Sequence, residues 1–600
     1  MTAELPLPEP LVRGDAPAVA AADPFVLDGS RVTLSDLVDV ARHGRPVRVT
    51  AEALKHTRPS AEWLGGVLDA MERGEPVEPV YSVNTGFGSL AGREAFTDPR
   101  DAAELSRRLV ISNASGVGTT VDAEVVRATM LIRIVSLLQG HSAVGAAVIE
   151  TLVDMLNRGV LPAVPEYGSL GASGDLIPLS HIALVLCRPS DAEDDERDSG
   201  EAVLDGRVVS GKEAMAAAGV PRIPLGAKDG LALLNGTSFS CAQTALAVHD
   251  AANLLEHAHI TAAMSTEALN GFGDAFIADL HQARGQAGQI AVAARMRELL
   301  AGSAFVDGDR DRDPDRQPPQ DAYSLRCVPQ VHGAVLDTLG FVTGIIENEI
   351  NAATDNPLIF PGLPATRRLK AVSGGNFHAE YVAFAADFVS IVVTEVGSIA
   401  ERRLFRLDDG TLNRGLPDML VPSRTIGLDC GYMLPQYLAA ALVSDCKTLA
   451  HPDSVDSIPT SANQEDHVSM ANNAGRHART VVRNIENVIG IELLMAAQAL
   501  DLRLEAAGAE PSALGPATRT AWETVRAARS GDGRPVDRTE RDVVLYPRVR
   551  RAVELVHDGD VLTAVNACLA QKDPAQEGPA QEGPAQKGLA PEGTAPEGTA

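Results

Sequence analysis

The chain has 600 residues, and its 52 basic and 80 acidic residues give a formal net charge of −28. This balance argues against binding to nucleic acids or anionic membranes, because both require basic patches that meet phosphate groups. Hydrophobic residues make up 45% of the sequence and charged residues 22%, which excludes disorder of the whole chain and allows a large buried core. Composition therefore favours chemistry on a small molecule, with neither nucleic acid nor membrane as a partner.

Neither end of the chain has the composition of a folded or targeting segment. Residues 1–24 are rich in Pro and Ala and lack the basic and apolar regions of a signal peptide, and residues 572–600 repeat a Pro-Ala-Glu-Gly theme. Such segments cannot bury enough apolar area to offset chain entropy, so we expect both to be disordered. The six cysteines are scattered without a CxxC pair, which predicts a reduced, soluble protein of the cytoplasm.

Apolar residues at helical spacing dominate the sequence between these ends. The segments Asp122–Leu138 and Ser142–Arg158 predict a helical hairpin, while strand-like alternation is sparse, with a β-hairpin at Ala202–Val209 as its best candidate. Three longer helices of the kind that pack in a central bundle are predicted further along the chain: Val328–Asn351, His378–Arg403 and Asn472–Leu504. We therefore predict an all-α fold with a long central helix bundle and few short strands.

Two charged segments, Asp191–Glu201 and Asp307–Arg316, interrupt this pattern and are predicted to be solvated loops. The second superficially resembles a calcium-binding loop. However, Arg312 stands in place of the required glycine and Pro318 in place of the closing glutamate. The sequence therefore does not favour a calcium site.

Two glycine-rich segments have simple structural interpretations. The segment NTGFGSLAG has the spacing GxGxxxG without a surrounding βαβ unit, which argues against a dinucleotide-binding loop. Residues 171–175, GASGD, lack the GxSxG spacing of a hydrolase nucleophile elbow. Ser173 would then be the N-cap of a buried helix over Leu176–Leu186. Glycines on both sides of Ala-Ser, however, permit the chain to fold back closely on itself.

The longer segment GSLGASGDLIPLSH, residues 168–181, resembles the signature of the aromatic amino acid ammonia-lyase and aminomutase family, and the motifs are most similar to those of histidine ammonia-lyases. In that family the Ala-Ser-Gly tripeptide cyclises into 4-methylideneimidazole-5-one (MIO), so the resemblance implies that Ala172, Ser173 and Gly174 form this cofactor. The Gly174 nitrogen would attack the Ala172 carbonyl, a step that a bulkier side chain would obstruct. Loss of water from Ser173 would leave an electrophilic methylidene group, which captures the substrate amine while a base removes the β-proton.

Segments far from this motif match the same family. Tyr81 in YSVNTGFG corresponds to the catalytic tyrosine, which serves as the base only if its neighbours lower its pKa from about 10. Asn235 in GLALLNGTS corresponds to an asparagine that hydrogen-bonds substrate and the MIO ring. The segment QDAYSLR resembles the family motif QDxYSLR, which implies that Arg326 binds the substrate carboxylate with Tyr323 and Gln320 beside it. A planar guanidinium suits this role because it matches a carboxylate in a bidentate manner.

Further matches concern the aromatic ring of the substrate. Phe377 in SGGNFHAE stands where the family places an aromatic residue over cofactor and substrate, and Glu465 in SANQEDHVSM stands where histidine ammonia-lyases have glutamate. A carboxylate at that position can accept an imidazole N–H or assist proton transfer. The ring-selecting pair is Ser112–Asn113, where histidine ammonia-lyases have Ser-His. Ser112 is of the histidine type, whereas the Asn113 amide cannot carry a proton charge.

The resemblance covers about residues 25 to 560 and implies two domains. An N-terminal domain over 25–225 would carry the MIO loop, and a long-helix bundle domain would follow over 226–560. The family assembles as homotetramers in which one site draws residues from more than one subunit, so a homotetramer is implied here. We expect structural roles for His181, His378 and His467, and no metal.

These matches predict an ammonia-lyase that converts an aromatic or heteroaromatic L-α-amino acid into an arylacrylate. Histidine to urocanate is the first choice and tyrosine the second, because Asn113 can hydrogen-bond a hydroxyl group. An MIO-dependent 2,3-aminomutase, which returns the amine to the β-carbon before the acrylate leaves, stays open as an alternative. A non-catalytic scaffold is a third hypothesis.

Overall fold

The architecture is almost entirely helical. A computed structural model describes residues 23–92, 98–190, 193–307, 319–364, 366–367, 369–422 and 427–571. The α-helices in these residues are α1 Leu34–Ala41, α2 Ala51–Lys55, α3 Arg58–Glu72, α4 Pro99–Asn113, α5 Ala123–Leu138, α6 Ala146–Asn157, α7 Leu176–Leu186, α8 Gly211–Ala217, α9 Asp229–Leu234, α10 Ser238–Ala268, α11 Ala278–Gln282, α12 Ala287–Leu300, α13 Tyr323–Arg326, α14 Val328–Ile350, α15 Glu380–Asp408, α16 Met433–Leu449, α17 Ala471–Ala507, α18 Pro516–Ala527, α19 Tyr546–His557 and α20 Asp560–Ala570. The predicted all-α fold is confirmed.

Strands are short and lie at the edges of the helical body. They are β1 Phe25–Leu27, β2 Val47–Val49, β3 Val117–Thr120, β4 Leu161–Pro162, β5 Pro165–Tyr167, β6 Cys187–Arg188, β7 Glu201–Leu204, β8 Arg207–Ser210, β9 Ile223–Pro224, β10 Leu358–Ile359 and β11 Ala371–Val372. β1–β2 and β6–β9 pair in parallel, whereas β3–β5, β10–β11 and the three-stranded sheet β4–β7–β8 are antiparallel. The predicted hairpin is confirmed as β7–β8, with Asp205 and Gly206 both at positive φ, as a two-residue hairpin turn requires.

Long helices form the central bundle. α17 packs against α10, α15 and α16, and α15 also packs against α10 and α14. α17 has buried residues on nearly every turn of its 37-residue length, which is the pattern of a helix surrounded by partners. α15 is long and apolar enough by composition to cross a membrane, yet 61% of its most apolar window is buried inside the protein. This burial is typical of a core helix.

Two helix ends differ from their predicted positions for tertiary reasons. The helix predicted from Ser142 begins only at Ala146, because Ala143 is in the left-handed region and Gly145 N donates to the buried carboxylate of Asp229. α15 continues past the predicted end at Arg403 to Asp408, because Leu404 and Leu407 are buried in the core. Packing thus moved both ends by about one helical turn.

The charged segment at 191–201 is more structured than predicted in its described part. Glu196–Asp198 forms a short 3₁₀ turn, Asp194 pairs with Arg222, and Ser199 is buried. The expectations of disorder at 1–22 and 572–600, and the interpretation of Arg312 and Pro318, lie outside the described residues.

The N-terminal part of the chain packs directly on the bundle. α5 contacts α10, and α4 contacts α7 and α9, so that the residues after β5 lie against the N-terminus of α10. One hydrophobic cluster extends from Leu27 to Val565 across residue 225. The division into domains at that point stays a prediction.

Candidate active site

The loop between β5 and α7 folds back on itself. Gly171 and Gly174 form an isolated antiparallel bridge, and Gly171, Ser173 and Gly174 all have positive φ. The interpretation of Ser173 as the cap of α7 is wrong, because Asp175 directly precedes the helix and the Ser173 hydroxyl points elsewhere. Its Oγ donates to Glu465 Oε1 at 3.0 Å. The loop therefore presents Ser173 to another segment instead of to its own helix.

A turn between α9 and α10 supports the back of this loop. Gly174 pairs with Gly236, and Asp175 N donates to Gly236 O at 2.7 Å. A Cβ on Gly174 would overlap the carbonyl of Gly236. Only glycine therefore permits this approach of the two backbones, quite apart from its positive φ.

Asp175 ties the loop to the first turn of α10. The Asp175 Oδ2 atom accepts hydrogen bonds from Phe239 N at 3.0 Å, Ser240 N at 2.8 Å and Ser240 Oγ at 2.9 Å, while Oδ1 accepts one from Ser169 Oγ at 2.9 Å. Burial raises the pKa of Asp175, and these donors oppose that effect. Sequence reasoning missed this residue, because no local signal indicates that the loop lies at the N-terminus of a helix more than 60 residues away.

Asn235 lies beside the loop at the end of α9. Its side chain is 1% exposed, and its Oδ1 has no hydrogen-bond partner among the described residues. An unpaired buried amide oxygen carries a free-energy cost unless a further group donates to it. This position suits the predicted role of hydrogen bonding to substrate or cofactor.

Glu465, which accepts the hydrogen bond from Ser173, lies close enough to Tyr81 to influence its charge. Tyr81 Oη accepts a hydrogen bond from Gly88 N at 2.9 Å, and Glu465 Oε2 accepts one from Thr460 Oγ1 at 3.0 Å. Burial raises the pKa of Tyr81, the Gly88 N–H opposes this, and the nearby Glu465 carboxylate raises it further. Burial outweighs the single hydrogen bond, so the neighbours of Tyr81 within this chain do not lower its pKa, and the phenolate is the minor form at neutral pH.

The predicted carboxylate-binding segment lies apart from this cluster. Tyr323 is 72% exposed, and the Arg326 guanidinium stacks 4.6 Å above its ring. Arg326 Nε donates to Asp321 O at 2.9 Å, and Gln320 is exposed. These contacts are local, and among the described residues no hydrogen bond or ring contact joins Arg326, Tyr323 or Gln320 to Ser173.

The ring-selecting pair ends helix α4. Ser112 Oγ and Asn113 Nδ2 donate to Leu109 O at 3.2 and 2.7 Å. Because its amide nitrogen is engaged by its own helix, Asn113 has its Oδ1 left as an acceptor. Phe377 is half-buried just before α15. The roles predicted for these residues stay predictions.

Three potential metal ligands lie next to Phe377 and Glu465. His378, Glu380 and His467 place their ligand atoms within 4.8 Å of one another. The two imidazole rings are nearly parallel, with 29° between their planes and 5.6 Å between their centroids. The absence of a metal stays a prediction.

Comparisons with known proteins agree with this arrangement. The family model "Aromatic amino acid lyase" matches residues 32–527. The chain is 44% identical to a histidine ammonia-lyase of Gloeobacter violaceus, covering 92% of this chain and 99% of the relative, and 41% identical to one of Alkaliphilus oremlandii, covering 90% and 98%.

Solved structures give the same result. A tyrosine aminomutase from Streptomyces globisporus superposes with a TM-score of 0.81 at 34% identity, over 91% of this chain and 99% of the other. A histidine ammonia-lyase from Trypanosoma cruzi superposes with a TM-score of 0.77 at 35% identity, over 90% and 95%. The chain therefore belongs to the aromatic amino acid lyase family and is a carbon–nitrogen lyase that acts on a small amino acid.

Proposed function

We propose that this chain is an MIO-dependent histidine ammonia-lyase that converts L-histidine into urocanate and ammonia. The observation that carries the proposal is the contact of 3.0 Å between Ser173 and Glu465 at a loop folded back between Gly171 and Gly174. The names of the relatives in Gloeobacter violaceus and Alkaliphilus oremlandii support this substrate.

The residues around the loop fit a cofactor formed from Ala172, Ser173 and Gly174. Gly174 leaves no space for a side chain, and the Asn235 Oδ1 atom is buried without a partner beside it. When formed, the MIO group supplies an electrophilic methylidene carbon for the substrate amine. Because that ring keeps no N–H of its own, the donor that the Asn235 Oδ1 atom lacks would be an N–H of the substrate amine, which removes the cost of the unpaired oxygen.

An imidazole ring suits the acceptors near Ser173. Glu465 is held by Thr460, so its carboxylate has a defined direction in which to accept a ring N–H. Asn113 offers the second hydrogen of its Nδ2 atom as a donor to the other, unprotonated ring nitrogen. Ser112 adds a hydroxyl that both donates and accepts. Together these groups favour a polar ring over a phenyl ring.

Tyr81 and Arg326 complete the proposed chemistry. Tyr81 takes the β-proton in its phenolate form, and the Gly88 N–H stabilises that form. Arg326 pairs with the substrate carboxylate through its planar guanidinium, with Tyr323 and Gln320 beside it. Phe377 packs against the ring. These roles follow from the family resemblance of the motifs that contain them.

The exposure of Gln320 and Tyr323 is explained if copies of this chain assemble as a homotetramer. An apolar surface on the bundle supports this assembly, since large side chains on α14, α15 and α16 are exposed: Phe341, Tyr381, Phe384, Phe388, Leu434, Tyr437 and Leu438. A second copy covering this face would bury them and bring its own groups to the site. All six cysteines are free, which supports a cytoplasmic location for this assembly.

A product assay tests the proposal. The purified chain is incubated with histidine, tyrosine, phenylalanine or tryptophan, the absorbance of the arylacrylate is followed, and the products are separated by chromatography. Urocanate should form fastest, and intact mass should show a loss of two waters, about 36 Da. An unshifted mass with no turnover would favour the scaffold hypothesis.

One observation favours the aminomutase as a second candidate. The tyrosine aminomutase structure superposes with a TM-score of 0.81, and Asn113 departs from the histidine of histidine ammonia-lyases. In the same assay, a β-amino acid as the main product would show that the chain is an aminomutase and not a simple lyase.

A further inference from the structure

A fully buried arginine lies directly behind the turn that supports the loop. Arg133, on α5, is 2% exposed. Its Nη1 donates to Ala232 O at 3.1 Å and Asn235 O at 2.8 Å, while Nε and Nη2 donate to Ser238 Oγ at 3.1 and 2.7 Å. One side chain thus connects the end of α9, the turn and the start of α10. None of the family motifs recognised in the sequence contains Arg133.

The packing from Arg133 to the loop leaves no free space. A Cβ on Gly236 would overlap Arg133 Nη2, and a Cβ on Gly174 would overlap Gly236 O. Gly236 is therefore held between the guanidinium on one side and Gly174 on the other. Without the guanidinium, the turn could move into the space that the Arg133 side chain fills, which would separate Gly236 from the backbone of Gly174.

The charge on Arg133 is costly to bury, which indicates a specific use. Burial lowers its pKa to about 10, so the group stays charged at neutral pH. Its hydrogen bonds go to two carbonyls and a hydroxyl of the turn. Those carbonyls belong to the C-terminal end of α9, where a positive charge is favourable. A guanidinium can hold three such acceptors at once because its donors lie in a fixed planar fork.

We propose that Arg133 is a positioning residue for ring closure, which holds Asn235–Ser238 so that Gly236 presses the Gly174 nitrogen toward the Ala172 carbonyl. This inference rests on the proposed cofactor. In the step, a bond forms between Gly174 N and Ala172 C, and the carbonyl oxygen leaves as water with the amide hydrogens of Gly174 and Ser173. A second water takes the Ser173 hydroxyl and its Cα hydrogen.

The same helix offers a matched control. Arg127 donates to Val40 O, Ala41 O and Leu156 O, so it too holds backbone carbonyls through a guanidinium, but on residues that do not contact the loop turn. Burial lowers the pKa of Arg127 as well. An Arg127→Met variant therefore loses comparable bonds without disturbing Gly236.

The experiment measures ring closure and not turnover. Full-length wild type, Arg133→Met, Arg133→Lys, Ser238→Ala and Arg127→Met are produced by cell-free synthesis, and the loss of about 36 Da is followed by intact-mass spectrometry over time. Circular dichroism and urea unfolding report the fold. We expect Arg133→Met to close the ring at least tenfold more slowly than wild type, and Arg133→Lys and Ser238→Ala at least threefold more slowly. Arg127→Met should stay within about twofold.

Each outcome tests either the proposed cofactor or the positioning role of Arg133. A wild type that never loses the two waters would overturn the proposed function itself. Folded Arg133→Met that closes at the wild-type rate, or Arg127→Met that slows equally, would overturn the positioning role alone. If Arg133→Met does not fold, Arg133→Lys and Ser238→Ala decide, and wild-type rates in both would overturn the inference.

Discussion

The two halves of the candidate site differ in how they are held. The cofactor half, residues 169–175 with 235–240, is buried and joined by hydrogen bonds within one chain. In the carboxylate half, residues 320–326, the predicted binding side chains are partly open to solvent, since Tyr323 is 72% exposed, Gln320 is exposed and Arg326 is half-buried. Buried hydrogen-bonded groups have a fixed geometry before substrate arrives, whereas exposed ones need a further surface to fix them. A substitution in the cofactor half should therefore leave carboxylate binding intact, and a substitution in the carboxylate half should leave cofactor formation intact.

The largest effect is expected for Ser173→Ala in the cofactor half. Without the hydroxyl, no methylidene can form, and turnover should fall by at least about 10⁴-fold. Within the described part of the chain, the Ser173 side chain hydrogen-bonds to Glu465 alone, so the unfolding free energy should change by roughly 1 kcal/mol or less. Product absorbance and urea unfolding measure the two quantities. Retained activity would remove MIO from the mechanism.

Arg326→Met tests the carboxylate half. Loss of a charge-assisted pair at the substrate should lower kcat/KM by roughly 30- to 100-fold, mainly through KM. The intact mass should nevertheless show the same loss of two waters as wild type. A variant that fails to form the cofactor would contradict the independence of the two halves. The Arg326→Lys variant keeps the positive charge but loses the planar pair of donors, so its kcat/KM should lie between those of wild type and Arg326→Met.

The pH dependence of the reaction rate tests whether Tyr81, which we group with the cofactor half, is the base. Its pKa is raised, first by burial and then by Glu465, so the phenolate is the minor form at neutral pH. The rate of β-proton removal should then rise about tenfold per pH unit between about pH 7 and 9. Steady-state kinetics corrected for ionisation of the substrate amine would measure the slope. A rate that is flat over this range would exclude a phenolate base.

The smallest effect is expected for Asn113→His. Asn113 Nδ2 donates one hydrogen to Leu109 O, so its oxygen and its second amide hydrogen are the groups left for a substrate ring. A histidine at this position should change the ratio of kcat/KM for histidine over tyrosine by roughly three- to tenfold in favour of histidine. Competition between the two substrates gives that ratio directly. An unchanged ratio would show that residue 113 does not select the ring.

The bounds of helices were predicted well where the hydrophobic periodicity of the sequence agrees with the packing in the fold. α14 is observed at Val328–Ile350 against a prediction of Val328–Asn351, and α17 at Ala471–Ala507 against Asn472–Leu504. The start of α6 could not be predicted, because Ala143 N donates to Ser60 and Gly145 N to Asp229. Those partners come from elsewhere in the chain, so no local pattern reveals them.

Family motifs predicted which residues form the site, but not which residues they contact. Ala172, Ser173, Gly174, Tyr81, Asn235 and Glu465 carry their chemistry in their residue types, so a family motif identifies them. Asp175 and Arg133 were missed, because an aspartate after glycine and an arginine within an apolar helix are common features. Their importance comes only from what they contact, namely the first turn of α10 and the turn before it.

By itself, the sequence determined the class of chemistry and the helical architecture, since reactivity belongs to residue types and helices follow from local spacing. Tertiary structure decided which distant segments meet. It brought Gly236 against Gly174, Glu465 to Ser173 and Arg133 behind the turn, and it left Arg326 half-buried in local contacts with Asp321 and Tyr323. The physical reason is that these contacts join residues tens to hundreds of positions apart, and only the packing of the long helices sets the distance between them.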